Sequence, residues 1–351
     1  MSTLWIDEHK LAHNAIAVRA HALQHGIVSV WPVVKVFAGN VRAAALFANL
    51  GFEVIADSRL DNLKRFRSIG AKKALLRIAS IHEAASVVSY ADISLQSEWA
   101  TIEALDRAAA RQNKIHDVIL MLDLGDLREG VWARPFDMKI VEAILKLSHV
   151  RLKGIGTNLT CFGGIVPDAE NMELLASIAN AIEQRFQIGL DVVSGGNSSI
   201  FPFLDRHALP KPINSIRVGE AIVLGRETAY GNRLDGLFDD VFVLEAEVVE
   251  CKDKPTRPIG TSTMNSFGEA VAYEDRGVVR RAILDIGKQD VAYEYLRPHD
   301  PDVVVLGASS DHLIVELKTD RIRLGSKVAF SLTYPGLLQT CTSRYVRKRW
   351  R

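Results

Sequence analysis

Eight short apolar runs, each followed by an amphipathic stretch, decide what this chain can become. They begin near Ile27 (IVSVWPVVKV), Val54 (VIADS), Lys73 (KALLRI), Asp92 (DISLQS), Asp117 (DVILMLDLG), Leu152 (LKGIGTNLT), Leu190 (LDVVSGG) and Ser215 (SIRVGEA). Helical patterns lie between them, among others at Val41–Leu50, Asp61–Ile69, Glu83–Tyr90, Glu98–Gln112 and Asp168–Phe186. The runs lack the polar alternation of a half-exposed sheet, so each strand is expected to be buried on both faces. Eight strand–helix units within about 200 residues suit a closed parallel barrel of the TIM-like (β/α)8 type better than an open doubly wound sheet.

After about Leu234 the texture changes. FVLEAEVVECKD, RRAILDIG, DVVVLGAS, DHLIVEL and KVAFSLTY are strand-like, with no long helix between them. The expected α/β chain is therefore a (β/α)8 barrel over residues 1–234 and a C-terminal mostly-β domain over 235–351, parted in the Gly-rich stretch Gly231–Gly236. The basic tail Arg344–Arg351 reads as a solvated terminus.

Charge removes one class of partner. With 43 Lys plus Arg against 42 Asp plus Glu, the net charge of +1 leaves no basic footprint for nucleic acid. No apolar stretch approaches the ~18 residues of a membrane span, and MSTLWIDEHK does not read as a signal peptide. Cys161, Cys251 and Cys341 are too few and too scattered for a disulfide framework or a metal cluster. No metal is expected, and a reducing cytoplasm is.

In a parallel barrel the chemistry gathers at the C-terminal ends of the strands. Lys35 follows four apolar positions at the end of the first strand, where burial would lower its pKa and suit Schiff-base or general-base work. A snorkelling ammonium is the plain structural alternative. The seventh strand ends in Ser194-Gly195-Gly196-Asn197-Ser198 and the eighth runs into Arg217-Val218-Gly219-Glu220. The loops after these two strands are where barrels often bind phosphate. Strand five ends in Asp123-Leu124-Gly125-Asp126-Leu127-Arg128, and Arg128 is suited either to a carboxylate ligand or to a surface ion pair with Asp126 or Glu129. Cys161, after strand six, reads as a small structural residue.

These residues together resemble the fold-type III pyridoxal phosphate enzymes, the alanine racemase superfamily, and within it the ornithine/alanine racemase-like branch. Ile6-Asp7 and Leu11 to Asn14 resemble the family's opening strand and helix. PVVKVFAG resembles the strand whose lysine carries pyridoxal 5′-phosphate, which implies that role for Lys35. Asp123-x-Gly125-x-x-Arg128 resembles the strand-five motif, which implies that Arg128 lies by the substrate or the cofactor's phenolic oxygen. Asn197-Ser198 resembles the phosphate-binding pair, and Arg217-x-Gly219 the arginine facing the pyridine nitrogen, with Gly219 and Glu220 offering backbone N–H groups. Ser309-Ser310-Asp311-His312-Leu313 falls where the family places a substrate-carboxylate loop contributed by the partner subunit, which implies a homodimer with an active site completed in trans.

The chain departs from the pattern at four places. Gly39 replaces a tyrosine, Asn158 replaces the histidine that stacks on the cofactor, and Met121 replaces a lysine carbamylated in many relatives. The catalytic tyrosine has no counterpart, since Pro258–Ser262 offers only Thr261. Racemisation needs an acid or base on each face of a planar carbanion. Lys35 would serve one face, and His312 or Asp311, ahead of Lys288 and Tyr273, the other. The resemblance implies an amino acid racemase acting on ornithine, with lysine or alanine as further substrates. A decarboxylase of the same fold and a PLP-binding homeostasis protein are the competing readings.

Overall fold

The computed structural model describes residues 1–264, 267–268 and 274–351. The eight apolar runs are eight parallel strands: Ser29–Pro32, Val54–Asp57, Lys72–Leu75, Ile93–Gln96, His116–Asp123, Val150–Thr157, Val192–Ser194 and Ser215–Val218. From the first strand they bond in turn to the eighth, seventh, sixth, fifth, fourth, third and second. The ring closes at the remaining gap through the parallel bridge Val33–Ala56, where Val34 N donates to Ala56 O at 2.8 Å.

Local chemistry starts the helices where it should. Asn40 accepts from Ala43 N at 3.2 Å and opens Val41–Asn49. Asp168 and Asn171 bond each other's backbone N–H reciprocally, a capping box that opens Ala169–Phe186. Inside the ring, Trp31, Val33, Ala56, Ile93, Leu95, Ile119 and Met121 pack into one apolar core. Met121 is wholly buried there, so no acidic or basic group stands at that position.

The chain divides into His9–Asp239, which holds the barrel, and a second unit made of Met1–Glu8 with Asp240–Arg351. The expected limits of 1–234 and 235–351 therefore shift. Thr3–Ile6 pairs antiparallel with Phe242–Glu245 and parallel with Arg347–Trp350, and so belongs to the second unit. The basic tail carries a strand, Arg347–Trp350, that the sequence did not announce, while Arg344, Arg347, Arg349 and Arg351 are exposed as a solvated terminus would be. A four-residue strand carries too little periodicity to announce its partner.

Within the second unit, antiparallel strands run in the order Leu296–Pro298, Lys327–Leu332, Phe242–Pro255, Val278–Leu284, Leu313–Leu317 and Val303–Ala308. Among the described residues, no helix is long and apolar enough to cross a membrane.

Candidate active site

Lys35 lies just past the first strand, where it opens the single 3-10 turn Lys35–Phe37. The turn ends with Ala38 and Gly39 at positive φ. A Cβ on Gly39 would stand 2.7 Å from Asn62 Oδ1. Asn62 thus fills the space beside Gly39. Its Nδ2 donates to both oxygens of Asp57, at 3.0 and 3.1 Å. Burial pushes the fully enclosed Asp57 carboxyl up to about 6, although Arg59 N and Asn62 bond its charged form. Burial also lowers the Lys35 pKa, with Cys161, Arg128, Asp57 and Glu220 near enough to modulate it. Glu220 is pushed up to about 7, first by burial and then by Glu227.

Arg217 is the most enclosed cation at this rim. It is 3 % exposed. One Nη donates to Ser194 Oγ, and the other to Thr157 O at 2.6 Å and Asn158 Oδ1 at 3.2 Å. All three acceptors are neutral, and burial lowers the guanidinium pKa to about 10, so it is still charged near neutrality. Gly156 makes the room, because a Cβ there would sit 3.4 Å from Arg217 Nη1 and 3.1 Å from Ser194 Cβ.

From Arg217 a polar chain runs outward. Asn158 Nδ2 donates to Glu129 Oε1 at 2.8 Å, and Glu129 pairs with Arg128. The ion-pair alternative for Arg128 is therefore realised, with Glu129 as partner and not Asp126. Asp126 is 1 % exposed and accepts instead from Cys161 N, Phe162 N and Ile165 N, which binds the loop after strand six to the loop after strand five. Asn197 donates to Leu159 O at 2.9 Å and to Cys161 Sγ at 3.6 Å. Ser198, 1 % exposed, accepts from Ala221 N at 3.2 Å and so joins the loop after strand seven to the residues beyond Gly219 and Glu220.

This donor set fits pyridoxal phosphate. An amine with a depressed pKa suits an aldehyde, and a buried guanidinium suits an acceptor nitrogen. The buried hydroxyls of Thr157 and Ser199 have no partner. A Cβ on Gly196, at φ +116°, would meet nothing nearer than Thr157 O at 4.0 Å, so open space faces that backbone.

Lys35, Arg128, Asn158, Asn197, Ser198, Arg217, Gly219 and Glu220 all lie in His9–Asp239. Ser310, Asp311 and His312 belong to the second unit, exposed on the turn between Val303–Ala308 and Leu313–Leu317. That turn is built firmly. Ser309 N donates to His312 O, Asp311 accepts from Gln289 Nε2 at 2.5 Å and from Ser310 Oγ at 2.9 Å, and a Cβ on Gly287 would stand 2.2 Å from Ser310 O. Lys288 lies over the rings of Phe267 and Tyr293. Tyr273 lies outside the described residues.

Spacing arguments name Ser194 and Glu129 without giving them a part beside Arg217, and pass over Gly156 and Asp57. Asp57 ends the second strand as Lys35 follows the first, and that position was its one visible signal. Glu129 is an acid beside an arginine in sequence, which is the ordinary dress of a surface pair.

Residues 6–227 match the family described as alanine racemase, N-terminal domain. The chain is 42% identical over 345 residues to an ornithine racemase of Acetoanaerobium sticklandii, covering 98% of each chain. It is 36% identical over 349 residues to a lysine racemase of Thermotoga maritima, covering 98% of this chain and 97% of that one. Its fold is similar to the alanine racemase of Bartonella henselae with covalently bound pyridoxal phosphate, at a TM-score of 0.71 and 19% identity, covering 100% of this chain and 99% of that one.

Proposed function

The chain belongs to the alanine racemase family, and from that premise we propose that it is a pyridoxal 5′-phosphate-dependent amino acid racemase whose substrate is ornithine, with lysine second. One observation carries the site reading: a buried Arg217, held by three neutral acceptors, shares a barrel rim with Lys35. When bound, pyridoxal phosphate makes the Cα–H of an amino acid acidic by drawing its electrons into the ring.

The residues of the chain do the rest. Lys35 would hold the cofactor, and its amine would move the Cα proton on one face. Its depressed pKa keeps more of it as free amine near neutrality. Arg217 can only donate, so it favours an unprotonated acceptor nitrogen opposite it. With such a nitrogen the group would draw electrons only weakly, which suits proton exchange between two bases. Ser198, with the backbone of Asn197, Gly219 and Glu220, holds the phosphate, while Asn158 orients Arg217. Arg128, which would have to turn from its pairing with Glu129, and Ser310 receive the substrate carboxylate.

His312 or Asp311, supplied by a second copy of the chain, serves the other face of Cα in a homodimer. The bonds from Gln289 and Ser310 to Asp311 support a turn held ready for that task. The distal ammonium of ornithine needs a carboxylate. Asp311, Glu220 and Asp290 are the candidates, with Asp290 accepting from Ser343 Oγ at 2.5 Å and Asp311 from Gln289 Nε2 at 2.5 Å. Three free thiols support a reducing, cytoplasmic setting.

The test is α-proton exchange in D2O with the loaded enzyme and L-ornithine, L-lysine and L-alanine offered separately. Deuterium uptake with formation of D-ornithine, fastest of the three, is the expected result. Loss of CO2, or no exchange on any of them, would overturn the reading.

A further inference from the structure

We propose that the barrel carries a zinc site, unrelated to the racemase chemistry, formed by His21, His25 and Asp205. The three side chains offer two imidazole nitrogens and a carboxylate oxygen, all within 4.8 Å of one another. His21 and His25 are four residues apart at the end of the helix Glu8–Gln24, so they share one face, and their rings stack with centroids 4.9 Å apart. His25 N donates to Ala22 O and Gly26 N to Leu23 O, so the helical turn continues through His25 before Gly26 ends it at φ +81°. Asp205 caps the C-terminal end of the short helix Phe201–Leu204 and faces His21.

Two features point to a cation and not merely to a histidine beside an acid. His21 Nε2 lies 3.2 Å from Asp205 Oδ1, yet it is shut off from solvent and makes no hydrogen bond of acceptable angle. With the His21 ring neutral and protonated at Nδ1, Nε2 and Asp205 Oδ1 both turn lone pairs to that gap, and a metal between them satisfies both. The last carbonyls of a helix also carry partial negative charge, which favours a cation at this end. Histidine nitrogen and carboxylate oxygen in a three-ligand set suit Zn2+ at roughly 2.0–2.2 Å, with water in a fourth position. Tetrahedral bonds of that length need donors about 3.4 Å apart, so the half-exposed His25 ring must swing by about an ångström.

The ion would bind the end of the first long helix to the segment that begins at Asn197 and Ser198. His21 already packs edge-on against Phe201 of that segment, with centroids 5.5 Å apart. Both sequence-distant pieces would then melt together.

Zinc titration by calorimetry of the full, pyridoxal-phosphate-loaded chain tests this, with His25→Gln and Asp205→Asn run beside it. All three are followed by circular dichroism and by melting temperature with and without Zn2+. One equivalent of Zn2+ bound by the wild type with a raised melting temperature, both lost in His25→Gln and weakened in Asp205→Asn, is the expected result. Absence of binding in the wild type overturns the proposal, and so does equal binding by folded His25→Gln. Co2+ supplies an independent readout: the visible d–d bands of a low-coordinate site must appear with the wild type and not with His25→Gln. Racemase activity is expected to be the same in His25→Gln and wild type without added metal, so failure of the zinc site and failure of the racemase reading are separate results.

Discussion

Arg217 donates from Nη2 to Oδ1 of Asn158 at 3.2 Å, and that bond decides which way round the amide stands. With Oδ1 turned to the arginine, Nδ2 must face Glu129, and it does, at 2.8 Å. A buried cation and a half-buried anion are thereby coupled through a neutral amide. Asn158→Leu keeps the volume but removes both bonds. Bonds to charged groups contribute about 1.5–3 kcal/mol each. With two bonds removed, the variant is expected to lose about 3 kcal/mol or more in urea unfolding, and an unchanged midpoint would refute the relay.

Arg217→Lys keeps the charge and loses the fork. One ammonium cannot reach Ser194, Thr157 and Asn158 with the same geometry. At a cost of about 1.5 kcal/mol or more per lost charged bond, the racemisation rate should fall by at least roughly tenfold while cofactor is retained. Steady-state kinetics with ornithine, beside the cofactor's absorbance, reads both quantities.

Two glycines of one strand should respond differently to alanine. At Gly156 the new methyl meets Ser194 Cβ at 3.1 Å and Arg217 Nη1 at 3.4 Å, contacts that side-chain shifts relieve. Overpacking of that kind costs about 1–3 kcal/mol, and here it would also displace the arginine. At Gly154 the methyl meets Val192 O at 1.8 Å, which is backbone in the neighbouring strand. Gly156→Ala is expected to fold with reduced kcat, and Gly154→Ala to lose soluble expression. The reverse order would contradict the barrel packing.

Asp57 sets a pH dependence with a definite sign. Its folded pKa is raised from 3.8 to about 6 by burial, so the folded chain keeps this proton longer than the unfolded one. The group is neutral in both states below pH 3.8, and stability falls as pH rises from there to about 6. That difference is worth on the order of 3 kcal/mol. Asp57→Asn removes the titration and keeps an acceptor for Arg59 N. Urea unfolding at pH 5 and pH 8 should show the variant gaining on the wild type at the higher pH. A variant that loses ground to the wild type as pH rises would show the sign to be wrong.

His312 and Asp311 are to be replaced separately. A base on one face of Cα affects exchange from one enantiomer more than from the other. Loss of deuterium uptake from a single enantiomer in either variant is expected, and full activity in both would remove this turn from the mechanism.

Much of the barrel was legible because buried parallel strands have to be apolar runs, and every run from Ile27 to Ser215 found its strand. The places of Lys35, Arg217 and Ser198 at or just past strand ends were legible because the apolar runs before them were. The rest lay in relations that spacing does not carry. Glu129 acts through Asn158, from another loop. Asp126 bonds three backbone N–H groups that follow it by more than thirty positions. Thr3–Ile6 looked like the opening of the barrel because its neighbours in sequence are barrel residues, while its hydrogen-bond partners come from the far end of the chain.

That last strand imposes an order on synthesis. Thr3–Ile6 is made before the barrel, yet Phe242–Glu245 follows only after all of His9–Asp239 has been made. At ~5–20 residues per second the interval is on the order of ten seconds or more. Throughout it, Leu4 and Ile6, at most 1 % exposed in the finished unit, ride on an unmatched ribbon with open backbone groups. The barrel can close while its own leader still waits, and a nascent chain stalled beyond Asp239 would present that ribbon to whatever strand, or chaperone, arrives first.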